Sequence, residues 1–166
     1  MEIQDEKDLV ATAAKGDKKA FMELYRRYCK MVYRHCYAST LEPETARDLF
    51  QEIWLKVYLG IRRIRKIESF AGFLKTIIRN TLIDFFRKSL PHEELNSDLT
   101  GPQEDPISLI EAKEILKKAD PEDRYLLFLR FYEGYTNKEI AFLLELSESA
   151  VKMRLHRLLK RLGEKM

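Results

Sequence analysis

An all-α fold, arranged as two small helical domains joined by a flexible acidic linker, follows from three features of this 166-residue chain. The N-terminal half repeats apolar residues at the 3.6-residue period of amphipathic helices. The stretch from Tyr135 to Leu162 reads as two helices around a tight turn. Between them the character changes. From Ser89 to Asp123 there are ten acidic residues (Glu93, Glu94, Asp98, Glu104, Asp105, Glu111, Glu114, Asp120, Glu122 and Asp123) against three lysines (Lys113, Lys117 and Lys118). The part from Ser89 to Pro106 also holds Pro91, Gly101, Pro102 and Pro106 with no helical period, so it reads as an extended or disordered tether. The expected organisation is a first domain over 1–88, a linker over 89–108 and a second domain over 109–166, with the two domains moving independently unless a partner clamps them.

In the first domain, Asp5 can cap a helix that ends near Lys15-Gly16, where glycine suits the stop. Asp17 can cap a second helix whose Phe21, Leu24, Tyr25, Tyr28 and Val32 form a core stripe. Pro43 fits the first turn of a third, in which Ala46, Leu49, Phe50, Ile53 and Val57 keep the period. This third helix has a second pattern: Asp48, Glu52, Leu55 and Leu59 recur at i, i+4, i+7 and i+11, flanked by Gln51 and Lys56. Once the core face is used, an acidic and apolar stripe is left outside, which suits a protein partner; a merely solvated face is the alternative. After the basic loop Arg62 to Ser69, a fourth helix runs from about Phe70 to Lys88. Its core side is Phe73, Leu74, Ile77, Ile78, Thr81 and Phe85, while Lys75, Arg79, Asn80 and Arg87 project away. Cations beside aromatic rings suit single-stranded nucleic acid, although most of these phenylalanines are expected in the core.

In the second domain, Thr136 and Glu139 have the spacing of a capping box, in which each satisfies an amide of the first turn. Ile140, Ala141, Leu143 and Leu144 follow as the buried side. Glu145-Leu146-Ser147 reads as the turn, with Leu146 filling the space between helices and Ser147 capping the next. There Val151, Leu155, Leu158, Leu159 and Leu162 form an apolar stripe, and Ser149, Lys152, Met153, His156, Arg157 and Lys160 lie opposite. A capped turn followed by a basic outer face is what a helix needs to enter the major groove, so duplex DNA is the expected ligand.

The net charge of +3 conceals an asymmetry: Arg62 to Lys88 contains eight basic residues (Arg62, Arg63, Arg65, Lys66, Lys75, Arg79, Arg87 and Lys88) opposed by Glu68 and Asp84. A polyanion is the natural partner of such a block. No stretch approaches the roughly 20 apolar residues of a membrane span, and the start Met1-Glu-Ile-Gln-Asp is acidic, so a cytoplasmic protein without membrane insertion is expected. Cys29 and Cys36 lie seven apart on one helix, about 10 Å along its axis, too far for a disulfide. With His35 they lack a second ligand cluster, so no metal is expected and Cys36 reads as a core residue. His35, His92 and His156 are isolated, and neither a glycine-rich phosphate loop nor a paired-carboxylate constellation occurs, so neither a cofactor nor catalysis is expected.

Three ordered motifs carry a resemblance. Asp48-Leu-Phe-Gln-Glu-Ile-Trp-Leu-Lys-Val-Tyr58, then Phe70-Ala-Gly-Phe-Leu-Lys-Thr-Ile-Ile-Arg-Asn-Thr-Leu-Ile-Asp-Phe-Phe-Arg-Lys88, then the helix-turn-helix resemble the successive signatures of bacterial RNA polymerase sigma factors of the sigma-70 family, extracytoplasmic-function group. The resemblance covers nearly the whole chain except the linker. It implies a sigma-two domain that binds the polymerase clamp and melts the minus-10 element, a sigma-four domain that reads the minus-35 element, a further contact with the polymerase flap, and the anti-sigma factor that many members have. It also implies roles residue by residue. Asp48, Gln51, Glu52 and Leu55 match the clamp-binding helix. Arg63, Arg65, Lys66 and Ser69 lie in the loop that captures an extruded minus-10 base, and Lys75, Arg79 and Asn80 match the helix that holds the non-template strand. Lys152, His156 and Arg157 match the base-reading face, and Arg154 a backbone contact. Thr136, Ser147, Ser149, Met153 and Lys160 complete the minus-35 set. The chain departs from the pattern at Glu145, where a turn glycine is common, and at Ser149, Ala150 and Met153, which replace a more usual Gly, Thr and Ser. Glu145 implies steric strain if the turn backbone is left-handed, and the other three alter the family's hydroxyl contacts to phosphate and with them promoter preference. A free helix-turn-helix regulator is the competing class; it gives no task to the Asp48–Tyr58 stripe or to the basic Phe70–Lys88 helix.

Overall fold

The computed structural model describes residues 5–63, 69–89 and 116–164, and every regular element among them is helical. The chain divides into two compact units, Met1–Asp84 and Phe85–Met166. The expected linker beyond Ser89 lies outside the described residues, as do Arg65 and Lys66.

The first unit contains α1 (Glu6–Ala14), α2 (Lys18–Thr40), α3 (Pro43–Ile61) and α4 (Phe70–Ser89), the last belonging to it as far as Asp84. Each boundary has a local cause. Asp5 and Asp17 accept from the Lys7 and Ala20 N–H groups at 3.4 and 2.7 Å, satisfying donors that a helix start leaves unpaired. Gly16 stands between α1 and α2 at φ +98°, a conformation open to glycine. Leu41 ends α2 at φ 51° with its N–H on the Tyr37 carbonyl at 2.8 Å, and Pro43 opens α3. The left-handed Leu41 is a strained position, since a side chain there meets its own backbone. Tyr28 donates to Glu6 at 2.6 Å and ties α1 to α2; burial, reinforced by that carboxylate, pushes its phenol up to about 12.

The core is formed by Leu9, Val10 and Ala13, by Leu24, Val32 and Cys36, by Ala46, Leu49, Ile53, Trp54, Val57 and Ile61, and by Phe70, Leu74, Ile78 and Leu82. Trp54, Phe70 and Leu82 were absent from the predicted stripes. Conversely Phe21, Tyr25, Tyr28 and Phe50 are half-buried, as are Phe73, Ile77 and Phe85. Size explains the first group: rings at the margin of a stripe reach across to each other rather than straight inward. Phe21, Tyr25 and Phe50 surround the Trp54 indole with ring centroids 6.0, 4.8 and 6.3 Å away, mostly in edge-to-face arrangements. Gly60 gives α4 room, because a methyl group there would stand 3.1 Å from the Phe73 ring. Cys29 and Cys36 are both free thiols.

The second unit opens with α5 (Pro121–Leu127), which widens into a π-helical turn (Phe128–Tyr132), followed by α6 (Asn137–Leu144) and α7 (Glu148–Glu164). Neither α5 nor the π turn was predicted, although Asp120-Pro121 carries a helix-start signal. Arg124 anchors this region: its buried guanidinium donates from Nη1 to the carbonyls of Leu116, Lys117 and Ala119 at 3.3, 3.4 and 3.0 Å. Arg130 donates to the Tyr135 carbonyl at 3.1 Å, leading the chain through Gly134 (φ +75°) into α6. Tyr125, Leu126 and Leu129 pack in a core with Ile140, Leu144, Val151, Leu155 and Leu158.

His35 is buried in the first unit and gives it a dependence on pH. Burial, with Lys75 and Arg34 adding repulsion, holds its imidazole down at about 4 against an ordinary 6.5. A depressed folded-state value means stability that is whole above pH 6.5 and is lost as pH falls toward 4. The full loss is about 3 kcal/mol. Urea unfolding across this window should show the chain weakening more than His35→Gln, which cannot titrate there.

Candidate nucleic-acid and protein interfaces

On α3 the two faces separate as the sequence pattern requires. Ala46, Leu49, Ile53, Val57 and Ile61 are buried, while Asp48, Gln51 and Glu52 are exposed and Leu55 and Leu59 remain 59% and 51% accessible. Two leucines half in water on one stripe, beside two carboxylates, have the chemistry of a protein-binding face. Glu52 is oriented from within: its Oε1 lies 2.7 Å from the Lys56 ammonium, which also donates to the Thr81 hydroxyl on α4 at 3.2 Å.

Of the basic loop, Arg63 and Ser69 are described and exposed. The Ser69 hydroxyl accepts from the Gly72 N–H at 3.2 Å and so starts α4. On α4, Asn80 is exposed, and Lys75 and Arg79 are half-buried rather than projecting fully. Arg79 donates from Nε and Nη2 to Asn80 Oδ1 at 3.1 and 2.9 Å, so these two side chains form one polar unit on the helix.

The helix-turn-helix is built as its spacing predicts. Thr136 accepts from the Glu139 N–H at 3.2 Å while Glu139 accepts from the Thr136 N–H and hydroxyl at 2.7 and 2.8 Å, and these bonds hold the Glu139 carboxyl below its usual range. Glu145 occupies the turn at φ 55°, ψ 39°, the left-handed geometry for which a glycine would be unstrained. The Leu146 N–H reaches the Ala141 carbonyl at 2.9 Å, and Ser147 accepts from the Ala150 N–H at 3.1 Å to start α7. Thr136 and Ser147 are therefore committed to capping, though both stay exposed.

Around α7 the expectation divides. Val151, Leu155 and Leu158 are buried, and Ser149, Lys152, Met153 and His156 are exposed together on the outer side. Leu159 is a correction: it is 46% accessible. At 100° per residue Leu159 stands about 80° round the helix from Val151, beside the exposed Lys152, while Leu158 and Lys160 on either side of it are buried. The side chain of Leu162 lies outside the described residues.

The basic residues also require correction. Arg154 was placed on the DNA backbone, but its Nη2 lies 2.9 Å from Glu122 and its Nε 3.6 Å from Asp123, clipping α7 to α5. Burial pushes the Asp123 carboxyl up, and Arg154 opposes that shift. Arg157 is half-buried, with Nε out of solvent and without a protein acceptor, and it lines a small cavity with Asp123, Arg154, Leu158 and Arg161. It sits at the flank of the outer face rather than in its middle. Lys160 is only 5% accessible and is engaged within the chain, so it does not offer its charge to a groove. Helical period alone puts all three on the polar side; carboxylates from a neighbouring helix and the reach of their long stems decide where the charges go.

Sequence reasoning missed Phe131, Tyr132 and Phe142, which are large, apolar and exposed, Phe142 to 78%. Phe142 was detectable, as an aromatic on the side of α6 away from Ile140 and Leu144. Phe131 and Tyr132 were not, because the π turn shifts the side-chain register that periodicity assumes.

Comparison with known proteins gives consistent matches. The profile of sigma-70 region 2 matches residues 24–90, and that of sigma-70 region 4 matches residues 111–162. The chain is 26% identical to the extracytoplasmic-function RNA polymerase sigma factor SigW of Bacillus subtilis, over 91% of each protein. It is 28% identical to the extracytoplasmic-function sigma factor BldN of Streptomyces coelicolor, over 94% of this chain but 64% of BldN. Among solved structures, CnrH in complex with the cytosolic domain of CnrY shares the fold at a TM-score of 0.58 and 21% identity, over 92% of this chain and 91% of CnrH.

The clip between α5 and α7 is testable without any ligand. Arg154→Ala should destabilise the second unit by about 3 kcal/mol, the low end for breaking a buried pair because water still reaches the guanidinium. Adding Asp123→Asn should recover part of that loss in thermal unfolding, since the orphaned carboxylate is then gone.

Proposed function

Because the chain belongs to the sigma-70 family, in its extracytoplasmic-function group, we infer that it directs core RNA polymerase to specific promoters and initiates transcription by minus-35 recognition and minus-10 melting. One pairing of features carries this over a free regulator: a helix-turn-helix with an exposed outer face occurs on the same chain as the exposed acidic and leucine stripe of α3. A regulator that works alone has no use for the second. We assign residues 1–88 to the polymerase and minus-10 domain, 89–108 to the connection and 109–166 to the minus-35 domain; the two profile matches support that division. No catalytic step is assigned to the chain. No helix among the described residues is long and apolar enough to cross a membrane, and the place of action we propose is the cytoplasm, with the polymerase.

Asp48, Gln51, Glu52 and Leu55 serve as the clamp contact in this proposal, with Leu59 extending it, and an anti-sigma factor would block the subunit by covering the same stripe. The exposed aromatics Phe131, Tyr132 and Phe142 are suited to the flap contact, which had no residues assigned from sequence. Lys75, Arg79 and Asn80, with Arg63, Arg65, Lys66 and Ser69 from the loop, take the separated strand; their cationic character suits phosphates. In the major groove Lys152, Met153 and His156 read base edges, Ser149 and the helix start meet the backbone, and Arg157 contributes from the flank.

Two variants separate these roles. Glu52→Arg should fold normally and bind core polymerase more weakly by about 2 kcal/mol or more in a pull-down titration, as expected for like charges brought together on a basic clamp surface. His156→Ala should leave core binding unchanged, cost about 1 to 3 kcal/mol on the cognate promoter and relax preference at one base position. Run-off transcription from a promoter library reads the second outcome; an equal loss on every sequence would move His156 to a phosphate contact.

A further inference from the structure

We propose that Lys56, which no assigned interface includes, is a positioning residue that couples occupancy of the polymerase-binding face of α3 to strand binding by α4. The inference rests on the function proposed above and deepens it.

Two contacts define the role. The Lys56 ammonium is 2.7 Å from Glu52 Oε1, one turn back on the same helix, and 3.2 Å from Thr81 Oγ1, on the next helix and 25 positions away. The first partner is half-exposed, on the stripe that meets the polymerase; the second is buried to within 1% of its surface. Thr81 adjoins Asn80, whose Oδ1 holds the Arg79 guanidinium on the outer side of α4. A single ammonium thus joins an outward carboxylate of one face to the residue beside the polar pair of the other.

An exposed i, i+4 ion pair is by itself worth little, because water and salt screen it. Its consequence here comes from competition. When a cationic group of the polymerase engages Glu52, the carboxylate is shared and its hold on Lys56 weakens. The ammonium then commits to the Thr81 hydroxyl and fixes the register of α4 against α3, with Arg79 and Asn80 presented as a preformed pair. Polymerase binding and strand binding each favour the same arrangement of Lys56, so each strengthens the other.

The test uses the full chain and a fluorescent single-stranded oligonucleotide carrying the non-template minus-10 sequence, titrated with and without saturating core polymerase. In the wild type, core enzyme should tighten oligonucleotide binding; Lys56→Met, which keeps the apolar stem, should cut that gain about fivefold while changing the free chain's affinity little. Thr81→Val, which removes the acceptor and keeps the shape, should give the same loss, and the double variant should be no worse than either. Thr81→Val also carries the test if Lys56→Met melts early. A gain left intact in both variants overturns the proposal, as does a loss of equal size with and without polymerase, which would mark a structural role. A wild-type chain that binds no core polymerase overturns the function itself, and this coupling with it.

Discussion

The packing of Trp54 against Phe21, Tyr25 and Phe50 is the contact on which the first unit depends. An indole buried where α2 meets α3 sets the spacing and rotation of these two helices, and rotation decides which residues of α3 remain outside. With Ile53, Val57 and Ile61 held inward, Asp48, Glu52, Leu55 and Leu59 have nowhere to go but solvent. The exposed stripe of α3 is thus a by-product of core packing: a helix can bury one side only, and a side with no partner in the chain is available to another molecule.

The second unit solves a different problem. Its long α7 packs through Val151, Leu155 and Leu158, and Lys160 is buried farther along the same helix. Arg154 adds a fixed point by meeting Glu122 and Asp123 on α5, and Arg124 in turn fixes the entry to α5 through three carbonyls. Charged side chains therefore serve as struts here, beside the apolar core. The left-handed Glu145 belongs to the same economy of space: the turn is short enough that its conformation is dictated, whatever residue occupies it.

Local signals made much of this legible. Asp5, Asp17, Pro43, Thr136 and Ser147 marked helix starts correctly because capping involves residues within three or four positions of each other. The stripe on α3 was legible for the same reason, since a period within one helix needs no knowledge of its neighbours. Leu159 sits at the edge of its stripe beside the exposed Lys152, and Arg154 and Lys160 take positions that their own helix does not fix: α5 brings the carboxylates that hold Arg154. Phe131 and Tyr132 were not legible because a π turn breaks the helical period.

The sequence by itself determined α1 to α4, α6 and α7, most of their caps, the helix-turn-helix, the order of the three motifs and hence the family, all of which are short-range patterns along the chain. Tertiary structure alone decided which cations on α7 are available to a ligand, that Trp54 lies in the core, and that Lys56 touches Thr81 across 25 positions. The reason is physical: backbone capping and amphipathic period are settled within a few residues, whereas burial and ion pairing depend on what a different helix brings within a few ångströms.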